Sequence, residues 1–411
     1  MLYAGCYIYQ CFKIVNDVNS VDRRKLPELF GPAWITMIAD VDAASILTAV
    51  ATGETYGYGL LWLMALLVAP LFIVQSVAGR VGVAGRGRGL GELIRERFGP
   101  RWALAAALPM FFVDMFSYAV EFTGMAVGAA LLGLPKAALV ALYVATLLIV
   151  VGRRYREIER YVLPVSLLTP LAFIAEAAVR GWDPSAPLFY ASANNQFFFL
   201  VAANVGAVVM PFMLFYQASA TSRKYASVDS GDRAKASWTS RETLAGAIAS
   251  QILMSAIMVA STGLDGVDPL SPRQLGSALH RVAGPYSPYI FGIGLLAASF
   301  LAYIVIALAS SWGAVEALGL RGRSARDLVY ALEPLPALIA VLLVPSGSAA
   351  YVALELMALS PLVLAVPGVL LGLLAMDRDL MGDLALGGAY RRAYWAALFL
   401  LALSGVVALI Y

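Results

Sequence analysis

Asp40 and Asp42, with Ser45 three residues further on, lie in the middle of "GPAWITMIADVDAASILTAVATG". The segment is otherwise apolar, is long enough to cross a bilayer, and contains no Lys or Arg. A carboxylate at that depth costs about 2.5–3.5 kcal/mol on insertion scales, so each one requires a partner or a water-filled path. With no cationic side chain beside them, the partners must be protons, metal ions or hydrogen-bond donors. Further along, "NVGAVVMPFMLFYQ" places Met210 before Pro211. Proline lacks an N–H and clashes with the preceding turn, so a helix is interrupted there. Methionine ordinarily fills gaps in apolar packing. At a helix break opposite an aspartate, its thioether becomes a soft metal ligand.

Each acid also has a structural reading. Asp42 stands at the first interruption and is the candidate ligand. Asp40, two residues earlier, would point about 200° away on a continuous helix, so only unwinding could bring both to one site. Otherwise Asp40 makes an interhelical hydrogen bond. Glu121, in "AVEFTG", either lines a pathway or holds neighbouring helices by hydrogen bonding. Asp114 lies two turns earlier on roughly the same face. Glu316 and Glu355 fall near helix ends, where solvation is the default. Asn204, one turn before Ala207, lines the same cavity as Met210 or simply packs.

The elements that must position these residues are membrane spans. The chain is 61% hydrophobic and 13% charged, more apolar surface than a soluble protein of 411 residues can bury. Repeated apolar runs predict an all-α polytopic membrane protein of eleven spans, at roughly 31–53, 59–78, 103–133, 136–152, 161–179, 195–217, 243–263, 289–318, 327–344, 348–375 and 393–411. With the N-terminus inside, 25 of the 29 Lys and Arg residues fall on the inner side and only Lys136, Arg180, Arg273 and Arg281 outside. This split predicts a cell-membrane protein with a cytoplasmic N-terminus and an extracellular C-terminus. Spans 1 and 6 take matching positions if the chain divides as five, five and one, and both are interrupted. Paired interruptions point to a secondary transporter built from inverted repeats, with a site where freed backbone faces a cavity. The expected units are a cytoplasmic segment 1–30, repeats 31–179 and 195–375, and a final span 393–411.

Other signals carry less. Cys6 and Cys11 read as free thiols in a reducing compartment. The first residues lack a basic n-region and read as an interfacial or disordered tail. No charge block suggests nucleic-acid binding. "GRGRGLG" (85–91) has no preceding strand and reads as a flexible basic connector, not a phosphate loop. "RRYREIER" (153–160) reads as a solvated inner turn at lipid headgroups. His280 is the single histidine, expected in an outer loop. No zinc-protease helix or Ser-His-Asp set is present, so no enzyme activity and no cofactor are expected.

The residues of spans 1, 2, 3 and 6 resemble the Nramp divalent-metal transporters. The likeness lies in "GPAWITMIADVDAASILTAVATGETYGYGLLW", "GLGELIRERFGP", "AVEFTG" and "GAVVMPFMLFYQAS". It covers most of the chain and weakens after span 7. It implies a leucine-transporter-like fold and a metal site at Asp42, Ser45, the Ala207 carbonyl and Met210, with a span-10 position falling at Ser360. Asp40, Glu121 and Asn204 would line the pathway or relay protons or cations. The family's Asp-Pro-Gly-Asn is here Asp42-Ala-Ala-Ser45. Its span-6 histidines are Phe212 and Gln217, its span-3 aspartate is Tyr118, and span 9 has no core arginine. Such departures are similar to the Nramp-related magnesium transporter branch.

That resemblance implies Mg²⁺ and Mn²⁺ as transported substrates, moved by alternating access without obligatory proton coupling. Two charges crossing 100 mV are worth roughly 4.6 kcal/mol, enough to drive uptake. The alternatives are a proton-coupled Mn²⁺/Fe²⁺ symporter using Asp42, Asp40 and Glu121 in place of histidine, an organic-cation or amino-acid carrier, and a non-transporting metal sensor. The expected partners are divalent metal ions and the lipid bilayer, and the sequence leaves the oligomeric state open.

Overall fold

The computed structural model describes residues 30–183, 186–264, 266–320, 322–343 and 349–410. Cys6, Cys11 and the tail reading lie outside the described residues. Every regular element among the described residues is helical: α1 Pro32–Ala39, α2 Ala43–Tyr56, α3 Leu61–Gly85, α4 Leu90–Phe98, α5 Pro100–Leu131, α6 Ala138–Val150, α7 Tyr155–Arg180, α8 Asn195–Gly206 and α9 Pro211–Tyr225. There follow α10 Asp232–Ser261, α11 Pro272–Ala283, α12 Ser287–Leu318, α13 Arg323–Leu332, α14 Leu335–Leu343, α15 Ala349–Met376, α16 Arg378–Met381 and α17 Gly388–Ile410, with a 3₁₀ turn at Gly382–Leu384.

Among the described residues, 8 helices have the length and hydropathy of a membrane span, counting Asn195–Tyr225 as one, and 9 do if the bent pair α1 and α2 is a single span. The expected eleven segments are completed by α6, of only 13 residues, and by α13 with α14. The ninth span is therefore divided where it was expected to be continuous. Pro334 and Pro336 each remove a backbone donor there.

The two interrupted spans lie in the middle of the packing. α1 and α2 meet at 49° across Asp40–Asp42, and α8 gives way to α9 across Ala207–Met210. α1 packs on α9 and α2 on α8, so each half of one broken span lies against the opposite half of the other. α10 braces α1, α2 and α3 on one side, while α12 lies along α5 and α7 on another. α15 crosses α2, α5 and α8, and α17 covers α15 and α8 from outside.

Several segments read as connectors are built structure. The "GRGRGLG" loop turns through Arg86 at φ 51° and leads directly into α4. Its amides are occupied: Gly87 N–H donates to Ser222 Oγ at 2.7 Å, Leu90 N–H to Ser219 Oγ at 3.0 Å, and Gly91 N–H to Glu316 Oε2 at 3.0 Å. A methyl group on Gly89 would overlap the Glu316 carboxylate. Glu316 also pairs with Arg223 at 2.7 Å, so the default expectation of solvation is wrong for it. The loop is a helix N-terminus that cradles an anion, and the anion is the protein's own side chain. Glu159, read as part of a solvated turn, is instead largely buried against Lys224 at 2.6 Å. His280 is exposed, on the amphipathic α11 rather than in a loop.

Gly206 closes α8 where α15 crosses it, and a Cβ there would overlap the Met357 carbonyl oxygen. Gly206→Ala is expected to destabilise the fold by about 1–3 kcal/mol, since backbone cannot yield as a side chain does. Gly387→Ala, with open space around its Cβ, should leave thermal unfolding in detergent unchanged. Equal melting temperatures for both variants would contradict the packing described here.

Candidate functional site

The first interruption is organised around the start of α2. Asp42 is the N-cap residue in an extended conformation, and its Oδ1 accepts the Ser45 N–H at 2.7 Å. Its other carboxylate oxygen is buried and has no hydrogen-bond partner among the described residues. Glu121, from α5, accepts the Ala43 N–H at 3.2 Å through Oε2 and leaves Oε1 unpartnered. Two of the four orphan amides at this helix start are thus held by carboxylates, which the helix dipole favours. Ser45 Oγ donates back to the Asp40 carbonyl at 2.8 Å, joining the end of α1 to the first turn of α2. Asp40 keeps the right-handed helical conformation as the C-cap of α1, and its Oδ1 is unpartnered. Unwinding is confined to the residues just after it. The carboxyl groups of Asp40 and Glu121 both lie close enough to Asp42 to interact with its charge.

The second interruption has no carboxylate. Ala207 caps α8, and no hydrogen bond is made to its carbonyl among the described residues. Met210 is the N-cap of α9, with Pro211 in the first position of the helix, where the missing N–H costs nothing. The Met210 N–H donates to the Met213 sulfur at 3.2 Å. Asn204 Nδ2 donates to Thr52 Oγ1 at 2.8 Å, tying α8 to α2, and its Oδ1 has no partner. The eight residues expected at or near the site are all buried, none more than 4% exposed. No hydrogen bond or ion pair joins Asp42 to Ala207 or Met210 among the described residues.

α15 spans the gap between the two breaks. Ser360 Oγ donates to the Gly206 carbonyl at 2.9 Å, so this residue holds the end of α8. One turn earlier, the Met357 sulfur accepts from Ser45 Oγ at 3.8 Å while its own backbone presses on Gly206. Met357 thus touches both interruptions. Sequence reasoning missed it; the available signal was its position three residues before Ser360 on one helix face.

Three further buried acids were missed, among them Glu242 on α10, which accepts the Trp34 N–H at 3.0 Å. Glu333, in the divided ninth span, accepts from Ser310 Oγ at 2.6 Å and faces Asp114. Glu176, on α7, accepts from Ser287 at the start of α12. Gln217 Nε2 donates to Thr243 Oγ1 at 3.0 Å, so this position forms an ordinary interhelical bond. Glu355 is only half-buried.

No three His, Cys, Asp or Glu side chains converge among the described residues. A cation between the two breaks would therefore meet one principal carboxylate, a hydroxyl, backbone carbonyl oxygen and a thioether. The buried unpaired oxygen of Asp42 is the donor that such a set requires, since an isolated buried anion is otherwise costly.

The architecture is shared with solved transporters. The Eremococcus coleocola manganese transporter, solved with an aromatic bis-isothiourea compound, aligns at a TM-score of 0.76 and 17% identity over 92% of this chain and 85% of that one. MhsT in complex with L-phenylalanine aligns at a TM-score of 0.62 and 14% identity, over 92% and 97%. The fold is the leucine-transporter-like fold of a polytopic membrane protein. In sequence, the divalent metal cation transporter MntH 1 of Pseudomonas aeruginosa is 28% identical over 388 residues, 88% of this chain and 86% of its own. The Bacillus subtilis divalent metal cation transporter MntH is 28% identical over 291 residues, 67% of each chain. Residues 33–411 match the model of the natural resistance-associated macrophage protein-like family, Nramp, and the chain belongs to that family.

Proposed function

We propose that the protein carries divalent metal cations, Mn²⁺ and Mg²⁺, across the cell membrane by alternating access. The observation that carries this reading is the unpartnered Asp42 oxygen, buried at the break of one span beside a second broken span that offers the Ala207 carbonyl and the Met210 thioether. Asp42 supplies the charge that recognises the cation. Ser45, already bonded to the Asp40 carbonyl, holds the unwound segment in shape and contributes a hydroxyl oxygen. Met210 favours Mn²⁺, because a thioether contributes little to Mg²⁺. The repeats 31–179 and 195–375 move against each other around this site, with the N-terminus inside and the C-terminus outside. No family histidine stands at Phe212 or Gln217, which favours a passive cycle driven by the metal gradient and the membrane potential.

A second reading is favoured by Glu121. It holds the first amide of α2 with one oxygen and leaves the other unpaired at the same break. A carboxyl group so placed can take up a proton as the cation leaves, giving proton-coupled symport.

Purified protein in liposomes tests these readings. Asp42→Asn should lower Mn²⁺ flux by about tenfold or more, the effect of losing roughly 1.4 kcal/mol or more of cation binding. Unchanged flux would remove Asp42 from the site. Met210→Leu keeps the side-chain volume and removes the sulfur. It should reduce Mn²⁺ flux about tenfold and Mg²⁺ flux by less than about twofold, whereas an equal fall in both would make Met210 a packing residue. A pH dye in the lumen should record no acidification in step with metal entry. Acidification that disappears in Glu121→Gln would establish the symport reading instead.

A further inference from the structure

The basic side of the molecule contains a cavity of ≈ 690 Å³ between the first turns of α7, the end of α9 and the start of α10. Arg156, Arg160, Lys224 and Lys235 line it, against a single carboxylate, Glu159. That carboxylate is already matched by Lys224 at 2.6 Å. Among the lining residues three cations remain in excess, with Asp232 beside Lys235 and the buried Glu242 near Lys224 just outside the cavity. Arg156 spends one guanidinium nitrogen on the Lys224 carbonyl at 3.1 Å. Lys235 donates to the Tyr225 carbonyl at 3.2 Å, and its one ionic partner, Asp232, is loose at 3.9 Å. Arg160 is exposed and makes no hydrogen bond or ion pair among the described residues. Like charges gathered around one concavity repel each other unless an anion enters it.

The rest of the lining is apolar: Phe30, Leu163, Val228 and Trp238. The apolar surface does not stop at the cavity. From Arg160 and Leu163, Leu167, Leu171 and Ile174 continue along one face of α7 at spacings of three and four residues, and all three are exposed. Ile248 and Ile252 are exposed further along α10, which packs on α7. The cationic cavity thus opens onto a surface that faces hydrocarbon in a membrane. A soluble phosphate has no use for such a surface, but an acyl chain does.

We infer that this cavity binds the headgroup of an anionic phospholipid, with the phosphate held by Arg156, Arg160 and Lys235 and the acyl chains laid along the exposed face of α7. The expected chemistry is a phosphodiester with a net negative charge, on the leaflet facing the basic side. The site is separate from the metal pathway, since none of its cations touches a residue at either break. Phe30 is its link to the transporter: its ring packs edge-on against Trp34 in α1 at 4.8 Å.

Native mass spectrometry of the full chain in neutral detergent tests this, with dioleoyl phosphatidylglycerol, dioleoyl phosphatidylcholine and inorganic phosphate as probes. Phosphatidylglycerol should bind at least about fivefold more tightly than phosphatidylcholine, the scale expected per basic residue near a lipid headgroup. Arg160→Gln, at an exposed position that folding does not depend on, should weaken phosphatidylglycerol binding by about fivefold, and Lys235→Gln by a similar factor. Arg101→Gln, which removes the same charge from the exposed start of α5, should leave it unchanged. Equal affinity for the two lipids, equal loss in Arg160→Gln and Arg101→Gln, or displacement of the lipid by equimolar inorganic phosphate would each overturn the assignment.

Discussion

The governing constraint is that backbone polar groups cannot be left bare at the centre of a bilayer. Breaking a span there exposes amides at one new helix end and carbonyls at the other, and each must find a partner. At the first break the protein meets this with acids and a hydroxyl: Asp42 and Glu121 take amides of α2, and Ser45 takes the Asp40 carbonyl. At the second break it uses Pro211, which has no amide to satisfy, and the Ser360 hydroxyl, which takes the Gly206 carbonyl. The groups left over are the unpaired carboxylate oxygens and the Ala207 carbonyl. These acceptors are what remains once the backbone has been accounted for, and they are the groups on which the proposed cation site rests.

This solution depends on a third element. α15 places Ser360 against one break and Met357 against both, and Gly206 lets it come close enough to do so. The two broken spans are therefore not independent hinges. Any change in the spacing of α2 and α8 must be accommodated by α15, while α10 braces α1 and α2 from the other side.

The sequence made the spans and both interruptions legible for one reason. An acid or a proline in a long apolar run has few physical explanations. Asp42 and Pro211 stood out on those grounds alone, and Met210 by standing directly before Pro211. Met357 did not, because a methionine in an apolar run looks the same whether it faces lipid or a hydroxyl. Glu333 was passed over although it lies inside the expected ninth span, where an acid in an apolar run is the same signal that marked Asp42. Glu316 was assigned to water because it falls near a helix end, although its partners, the amides of the glycine-rich loop, stood in plain view more than 200 residues earlier in the chain. Pairings between distant segments leave no periodic trace. The short amphipathic α4 and α11 were hidden because the search for spans discards anything that is not uniformly apolar.

One consequence lies in α6. Its 13 residues rise about 20 Å at 1.5 Å each, against a hydrocarbon layer of about 30 Å. A span shorter than that layer is matched by thinning of the bilayer or by flanking residues reaching to the interface, and thinning beside α6 would shorten the dielectric barrier on one flank only. The electric field across the protein would then be steeper there than on the opposite side, and the membrane would act on this molecule as a lopsided capacitor and not as a uniform slab.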